Sequence, residues 1–233
     1  MPSLIIAIDG PSGAGKGTVA CVVAAALGYR HIDSGAMYRA VGWQCLQLGV
    51  ALEDEDAVAR LAERSRIEVG GTGVVVGQVG AVSPVSIDGV DVTRAIRTPA
   101  IDRAAAAVAR LPRVREILVA RQRALGAGGG IVMEGRDIGT VVFPHADNKL
   151  YLDASEEERA RRRASDPAHS GGPAAVAEVK TLLKERDRLD TTRKTSPLHA
   201  AADAVLIDTT GKGVDAVVEE VLALIRTKLR MSK

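Results

Sequence analysis

The sequence predicts an α/β protein, a three-layer sandwich with a parallel central sheet between helices. Three observations lead there. Short apolar runs rich in β-branched residues alternate with helix-patterned segments, the order that builds parallel sheets. The first run passes through a glycine-rich loop, Gly10-x4-Gly15-Lys16, into a helix pattern. Residues 66 to about 92 break the alternation with glycine-punctuated β-branched runs, which marks a small antiparallel β insert outside the main sheet.

Each element has its own signal. Ser3 to Asp9 reads as a buried strand closed by Gly10-Pro11. A helix follows from Lys16, with Val19, Val22, Val23, Ala26 and Leu27 on its core stripe and Gly28 as its stop. Tyr29 to Asp33 is a second strand, and after Ser34-Gly35 a helix runs from about Ala36 to Leu48. Asp54 to Ser65 is helical with an acidic start that suits the helix dipole. In the insert, Asp88-Gly89 is hairpin-turn chemistry. Helices follow over about Pro99 to Ala109 and Pro112 to Leu125, ended by Gly126 to Gly130. Ile131 to Gly135 and Lys149 to Asp153 are buried strands. Ser155 opens a capped helix to Ala164 with Glu158 at the third helical position. Asp166 to Pro173 is a flexible joint containing Gly171-Gly172. A long helix to Asp190, a strand from Ala204 to Asp208 and an amphipathic helix from Val214 to Leu229 complete the chain.

Composition bounds the function. The 233 residues suit one α/β domain with insertions. Aromatics make up only 2%, too few for the stacking platforms that single-stranded nucleic acid needs, and the net charge of +2 argues against a general polyanion binder. No apolar run reaches membrane-span length, and Asp9 interrupts the N-terminal run, so the expectation is a cytoplasmic protein with its native start. Cys21 and Cys45 read as free core thiols in a reducing compartment. His31, His145, His169 and His199 lack metal-ligand spacing, and Trp43 reads as a packing residue. Asp9 is expected either to support the glycine loop or to make a strand-end hydrogen bond, and Asp153 to cap a helix or touch a metal-bound water.

The loop is a phosphate cradle. Gly10, Gly13, Gly15 and Gly17 let backbone N–H groups converge without Cβ obstruction, the following helix N-terminus favours an anion, and Lys16 adds a mobile positive charge. Such loops usually continue with a Ser or Thr that ligates Mg²⁺. Here Gly17 holds that place and Thr18 follows, which predicts that no protein side chain grips the metal directly and that ATP and water hold Mg²⁺ near Thr18.

The stretches GPSGAGKGT, DSGAMYR (Asp33 to Arg39), LPRVR (Leu111 to Arg115), EGRDIGTVVFP (Glu134 to Pro144), LDASEEERARRR and KERDRLDTTR occur in this order. Together they resemble the bacterial cytidylate kinases among the nucleoside monophosphate kinases, over nearly the whole chain. The resemblance implies a P-loop three-layer sandwich with a monophosphate-binding insert and a helical lid. It implies Mg-assisted in-line transfer of the ATP γ-phosphate to CMP or dCMP, with no nucleic acid or membrane partner. The same chemistry on UMP or AMP, and an ATP-hydrolysing P-loop switch without an acceptor, stand as rival readings. The implied ATP site is Gly10, Pro11, Ser12, Gly13, Ala14, Gly15, Lys16, Gly17 and Thr18. The implied CMP site is Ser34, Tyr38, Arg39, Arg115, Arg136, Asp137, Arg186, Asp190 and Arg193. Lys16, Arg136, Asp137, Arg159 and Arg163 would serve catalysis. The resemblance divides the chain into a core (about 1–63, 108–153 and 173–233), an insert (about 64–107) and a lid (about 154–172), and a monomer is expected. Similar enzymes carry a Ser that reads the cytosine edge six residues before the Pro of PRVR; this chain has Ala106 there, which predicts weaker discrimination against uracil.

Two physical arguments refine what the resemblance implies. A phosphate monoester loses its second proton near pH ~6, so the acceptor needs no strong base, and Asp137 is expected to orient an Arg or touch a metal-bound water. On the lid helix, Glu157–Arg161 and Glu158–Arg162 are expected as surface pairs, leaving Arg159 or Arg163 for function.

Overall fold

The computed structural model describes residues 3–70, 83–166 and 175–231. Five strands form one parallel sheet: β1 (Ile5–Asp9), β2 (Arg30–Asp33), β6 (Ile131–Gly135), β7 (Asn148–Asp153) and β8 (Val205–Asp208), in the spatial order β2-β6-β1-β7-β8. Strand alternation sends Ala7, Ile131 and Met133 to one face and Ile6, Ile8 and Val132 to the other, so the sheet is buried on both sides. Helices α2 (Ser34–Leu48), α3 (Glu55–Arg64), α4 (Pro99–Val108) and α5 (Pro112–Gly126) cover the first core. Helices α1 (Lys16–Leu27) and α8 (Val214–Met231) cover the second. Helices α6 (Glu156–Ala164) and α7 (Val176–Thr192) pack on each other beside the carboxyl ends of the strands.

The second sheet is the expected antiparallel insert, β3 (Ile67–Val69), β4 (Val85–Ile87) and β5 (Val90–Asp91). Asp88 and Gly89 both take positive φ, 51° and 80°, the pair of left-handed residues that a two-residue hairpin turn needs. Residues 71–82 of the insert, the Gly171-Gly172 joint and His169 lie outside the described residues.

Three local readings change. Helix α2 starts at Ser34, two residues early, because the Asp33 carboxylate accepts a hydrogen bond from Ala36 N (3.0 Å) and makes Asp33 the N-cap. On α1, Ala20, Cys21 and Ala24 are buried while Ala26 is exposed. Apolar residues surround that helix, so its sequence carries no face preference and packing chooses one. Third, residues Ile138–Val142 form a π-helical turn that no sequence pattern announced. Asp9 holds its start: Oδ1 accepts from Ile138 N (2.8 Å) and Oδ2 from Gly139 N (2.7 Å). The strand-end alternative for Asp9 is therefore the one adopted, and burial pushes its carboxyl up to about 6 against those two bonds. Arg136 and Asp137, between β6 and this turn, line the cleft at the mouth of the sheet.

Candidate active site

The carboxyl ends of β1, β2 and β6 open into a cleft of about 1350 Å³, where an open parallel sheet binds ligands. Its floor is the loop between β1 and α1. Gly10 has φ 145°, and a Cβ there would stand 2.0 Å from Leu152 O of β7; only glycine lets the loop pass that strand. The Lys16 ammonium donates to Pro11 O (2.7 Å) and the residue is 6% exposed. Burial, and after it the nearby Arg136 guanidinium, push Lys16 down to about 7. The loop therefore holds a cation that is hard to keep charged until an anion arrives.

Gly17 has a tertiary reason. A Cβ there would lie 2.8 Å from Glu134 Oε1, so a carboxylate from β6 fills the space that a Ser or Thr side chain would occupy. Glu134 also sits 3.4 Å from His31 Nε2, and His31 Nδ1 is 2.7 Å from Ser83 Oγ. Thr18 lines the same cleft. Among the described residues, no group of three His, Cys, Asp or Glu side chains could hold a metal by itself.

Opposite the loop, acids and guanidinium groups alternate. Arg115 Nη2 is 2.5 Å from Asp137 Oδ2, with Arg193 Nη2 3.8 Å from Asp137 Oδ1. Arg193 Nη1 lies 3.6 Å from Asp190 Oδ1, and Arg136 Nε donates to Asp190 Oδ2 at 2.9 Å. Burial works against ionisation of Asp190, but Arg136, Arg186 and Arg193 outweigh it and hold the carboxyl below its usual range. The Tyr38 ring lies under the Arg115 guanidinium, 5.5 Å from centroid to carbon. Ser34 Oγ donates to Glu134 O (2.6 Å), tying the start of α2 to β6. Asp137 is thus the carboxylate nearest to Arg115.

Helix α6 makes the expected Glu158–Arg162 pair and otherwise differs from expectation. Glu157 pairs with Lys180, and Arg161 is a surface partner of Glu158 at i,i+3. Arg162, expected on the surface, faces the cleft: it pairs with Glu158 (2.8 Å), donates to Thr209 Oγ1 (2.9 Å) and O (2.6 Å), and its Nη1 lies 3.6 Å from where a Gly15 Cβ would be. Arg159, expected near the transferred group, instead lies beneath the loop, 7% exposed. It bonds Ser12 O (3.2 Å), Ala154 O (3.1 Å) and Asp187 Oδ2 (2.5 Å), and is absent from the cleft lining. Arg163 does line the cleft and meets Asp102 Oδ2 at 2.5 Å. Asp153 accepts from Ala154 N (2.8 Å).

The cleft gathers Ser12 to Thr18 from the loop, and Ser34, Tyr38, Arg39, Arg115, Arg136, Asp137, Arg186, Asp190 and Arg193 from the other wall. Gly10 and Pro11 shape the loop from behind it. Sequence reasoning missed Glu134, Arg162, Thr209 and Asp102. Only Glu134 left a signal, the unusual glycine at 17.

A phosphate loop on one wall and a row of guanidinium groups on the other is what transfer between two polyanions demands, and that defines the class: a P-loop phosphotransferase with an anionic acceptor. Comparison with known proteins narrows the class. The chain belongs to the cytidylate kinase family, whose model, described as "Cytidylate kinase", matches residues 6–227. A cytidylate kinase of Desulfitobacterium hafniense is 44% identical over 227 residues, covering 97% of this chain and 94% of that protein. One of Pelotomaculum thermopropionicum is 48% identical over 218 residues, covering 94% of each. Among solved structures, an uncharacterized protein from Eubacterium ventriosum aligns with 97% of this chain and 99% of its own at TM-score 0.52 and 13% identity, a likeness of fold alone.

Proposed function

We propose that this chain transfers the γ-phosphate of ATP to CMP, and to dCMP, yielding ADP and the nucleoside diphosphate. One observation carries the reading: Lys16 of the phosphate loop and Arg39, Arg136 and Arg186 of the other wall line one cleft, which offers two adjoining anion sites. A hydrolytic switch would need only the first.

The chemistry asks for position and charge, with little covalent work. Lys16 and the loop N–H groups take the β- and γ-phosphates of the donor. Ser34, Arg39 and Arg136 receive the acceptor phosphate, whose ionised oxygen attacks without a base. Arg115, Asp137 and Arg193 meet the base, and Asp190 the ribose. Arg162 and Arg163 close on the transferred group, and closure excludes the water that would hydrolyse ATP. Thr18 and Glu134, whose oxygens suit a hydrated hard cation, would hold the water shell of Mg²⁺ carried in with ATP, and the ion would supply neutralising charge for the phosphates. We assign the core to about 1–63, 108–153 and 173–233, the insert to about 64–107 and the lid to about 154–172. No helix among the described residues is long and apolar enough to cross a membrane, and the two buried thiols, outside any disulfide, suit a reducing cytoplasm.

The test is ADP release in a coupled assay with CMP, dCMP, UMP, AMP or no acceptor. CMP and dCMP are expected to drive turnover. Equal use of UMP or AMP overturns the acceptor assignment, and equal turnover without any acceptor overturns transfer itself.

A further inference from the structure

Asp102 takes no part in the site as the sequence outlined it, yet the arginines converge on it. It sits in the first turn of α4, a helix capped by Thr98 and opened by Pro99. Helix α4 lies tight against α2 because Gly42 has no side chain; a Cβ there would stand 3.1 Å from Ala104 Cβ and 3.2 Å from Ala105 N. That close approach brings Asp102 to Arg39. Asp102 Oδ1 lies 2.9 Å from Arg39 Nη2 and 3.5 Å from Arg186 Nη1, and Oδ2 lies 2.5 Å from Arg163 Nη2. The four side chains are between 12% and 21% exposed, so solvent screens them little. The three arginines line the cleft; Asp102 stands behind them.

We infer that Asp102 is a positioning residue for phosphoryl transfer, a single carboxylate that gathers arginines from α2, the lid helix α6 and α7 and aims them into the cleft. The inference rests on the kinase reading above. Three guanidinium groups this close repel one another; burial, then Arg136, already pushes Arg186 down to about 10. A carboxylate behind them offsets the repulsion and leaves a net positive face toward an incoming phosphate. It also orders three long side chains before substrate arrives, so binding need not freeze them, and preorganised charge is what lowers a phosphoryl-transfer barrier. Because Arg163 belongs to the lid and Arg39 to the acceptor wall, the same carboxylate couples lid position to acceptor-phosphate geometry.

The experiment compares Asp102→Asn, Asp102→Glu, Arg163→Met and the Asp102→Asn/Arg163→Met pair with the unaltered chain, by steady-state kinetics and thermal unfolding. For Asp102→Asn, kcat is expected to fall about 100-fold, the size of loss that an ångström of misplacement can cause. KM for CMP should rise while KM for ATP stays within about twofold, since Arg39 and Arg186 face the acceptor. Asp102→Glu, which keeps the charge, should recover about tenfold of the lost kcat. The double variant should be no slower than its slower parent, because both changes disable one unit. A kcat for Asp102→Asn within about twofold of the unaltered chain, or losses that multiply in the double variant, would overturn the inference. So would a lowered melting temperature with unchanged kcat per folded molecule. If the unaltered chain itself fails to phosphorylate CMP, the kinase reading is what falls.

Discussion

Binding of ATP should draw a proton from solution, and Lys16 makes the amount calculable. In the ligand-free cleft, burial and Arg136 bring the ammonium down to about 7. At pH 8 a group with that value is only about one-tenth protonated. A polyphosphate seated against Nζ reverses the balance, since an opposite charge at contact distance favours the charged form. Lys16 then returns toward its ordinary range, and uptake at pH 8 should be about 0.9 proton per ATP. At pH 6 the ammonium is already charged and the uptake from Lys16 shrinks to about 0.1. The nucleotide does not confuse the reading at pH 8, because a terminal phosphate with a pKa near ~6 is fully ionised there. The measurement is calorimetric titration with a non-hydrolysable ATP analogue and Mg²⁺ in two buffers of different ionisation enthalpy, repeated on Lys16→Met. Uptake below about 0.2 proton at pH 8, or the same uptake in Lys16→Met, would refute the assignment of a depressed ammonium to the donor site. The same shift sets a sign for stability: the folded state holds fewer protons than the unfolded one between about 7 and 10.5, so stability of the ligand-free chain gains from Lys16 as pH rises through that window.

Other substitutions test the scaffold. Gly10→Ala forces a Cβ to 2.0 Å from Leu152 O at φ 145°, and should cost at least about 3 kcal/mol, a drop of about 6–12 °C in melting temperature for a chain of this size; a drop under 2 °C would contradict the loop geometry. Asp137→Asn leaves the Arg115 guanidinium, 2% exposed, without its closest charge partner, and should cost about 3–5 kcal/mol in urea unfolding, with less than 1 kcal/mol refuting the buried pair. Ala106→Ser restores a hydroxyl to the cleft wall and should raise the CMP-over-UMP ratio of kcat/KM about two- to tenfold, the worth of one neutral hydrogen bond; an unchanged ratio would place the base elsewhere.

The strands were the most legible part of this chain. Buried parallel strands must be apolar on both faces, so Ile5–Asp9, Ile131–Gly135 and Asn148–Asp153 announce themselves within a residue or two. The phosphate loop was equally plain, because backbone convergence on an anion leaves few alternatives to glycine. Helix ends were less so: Ser34 reads as a helix breaker until the Asp33 carboxylate is seen to cap Ala36 N. The π turn had no signal, because its cause is the hydrogen bond that Ile138 N donates to Asp9, 129 residues away in sequence.

For the site, local sequence determined chemistry and tertiary structure determined assignment. The motifs named the arginines and acids that meet in the cleft, since phosphate recognition calls for guanidinium groups and buried guanidinium groups call for carboxylates. Which arginine on α6 faces which way was decided elsewhere. Arg162 is turned inward by Thr209, and Arg159 is taken beneath the loop by Asp187 and Ser12 O. Glu134 beside Gly17, and Asp102 behind Arg39, Arg163 and Arg186, likewise come from packing between segments far apart in the chain. Periodicity and motif spacing report forces that act within a few residues. The partner a buried charge finds is settled only when the whole chain has closed around it.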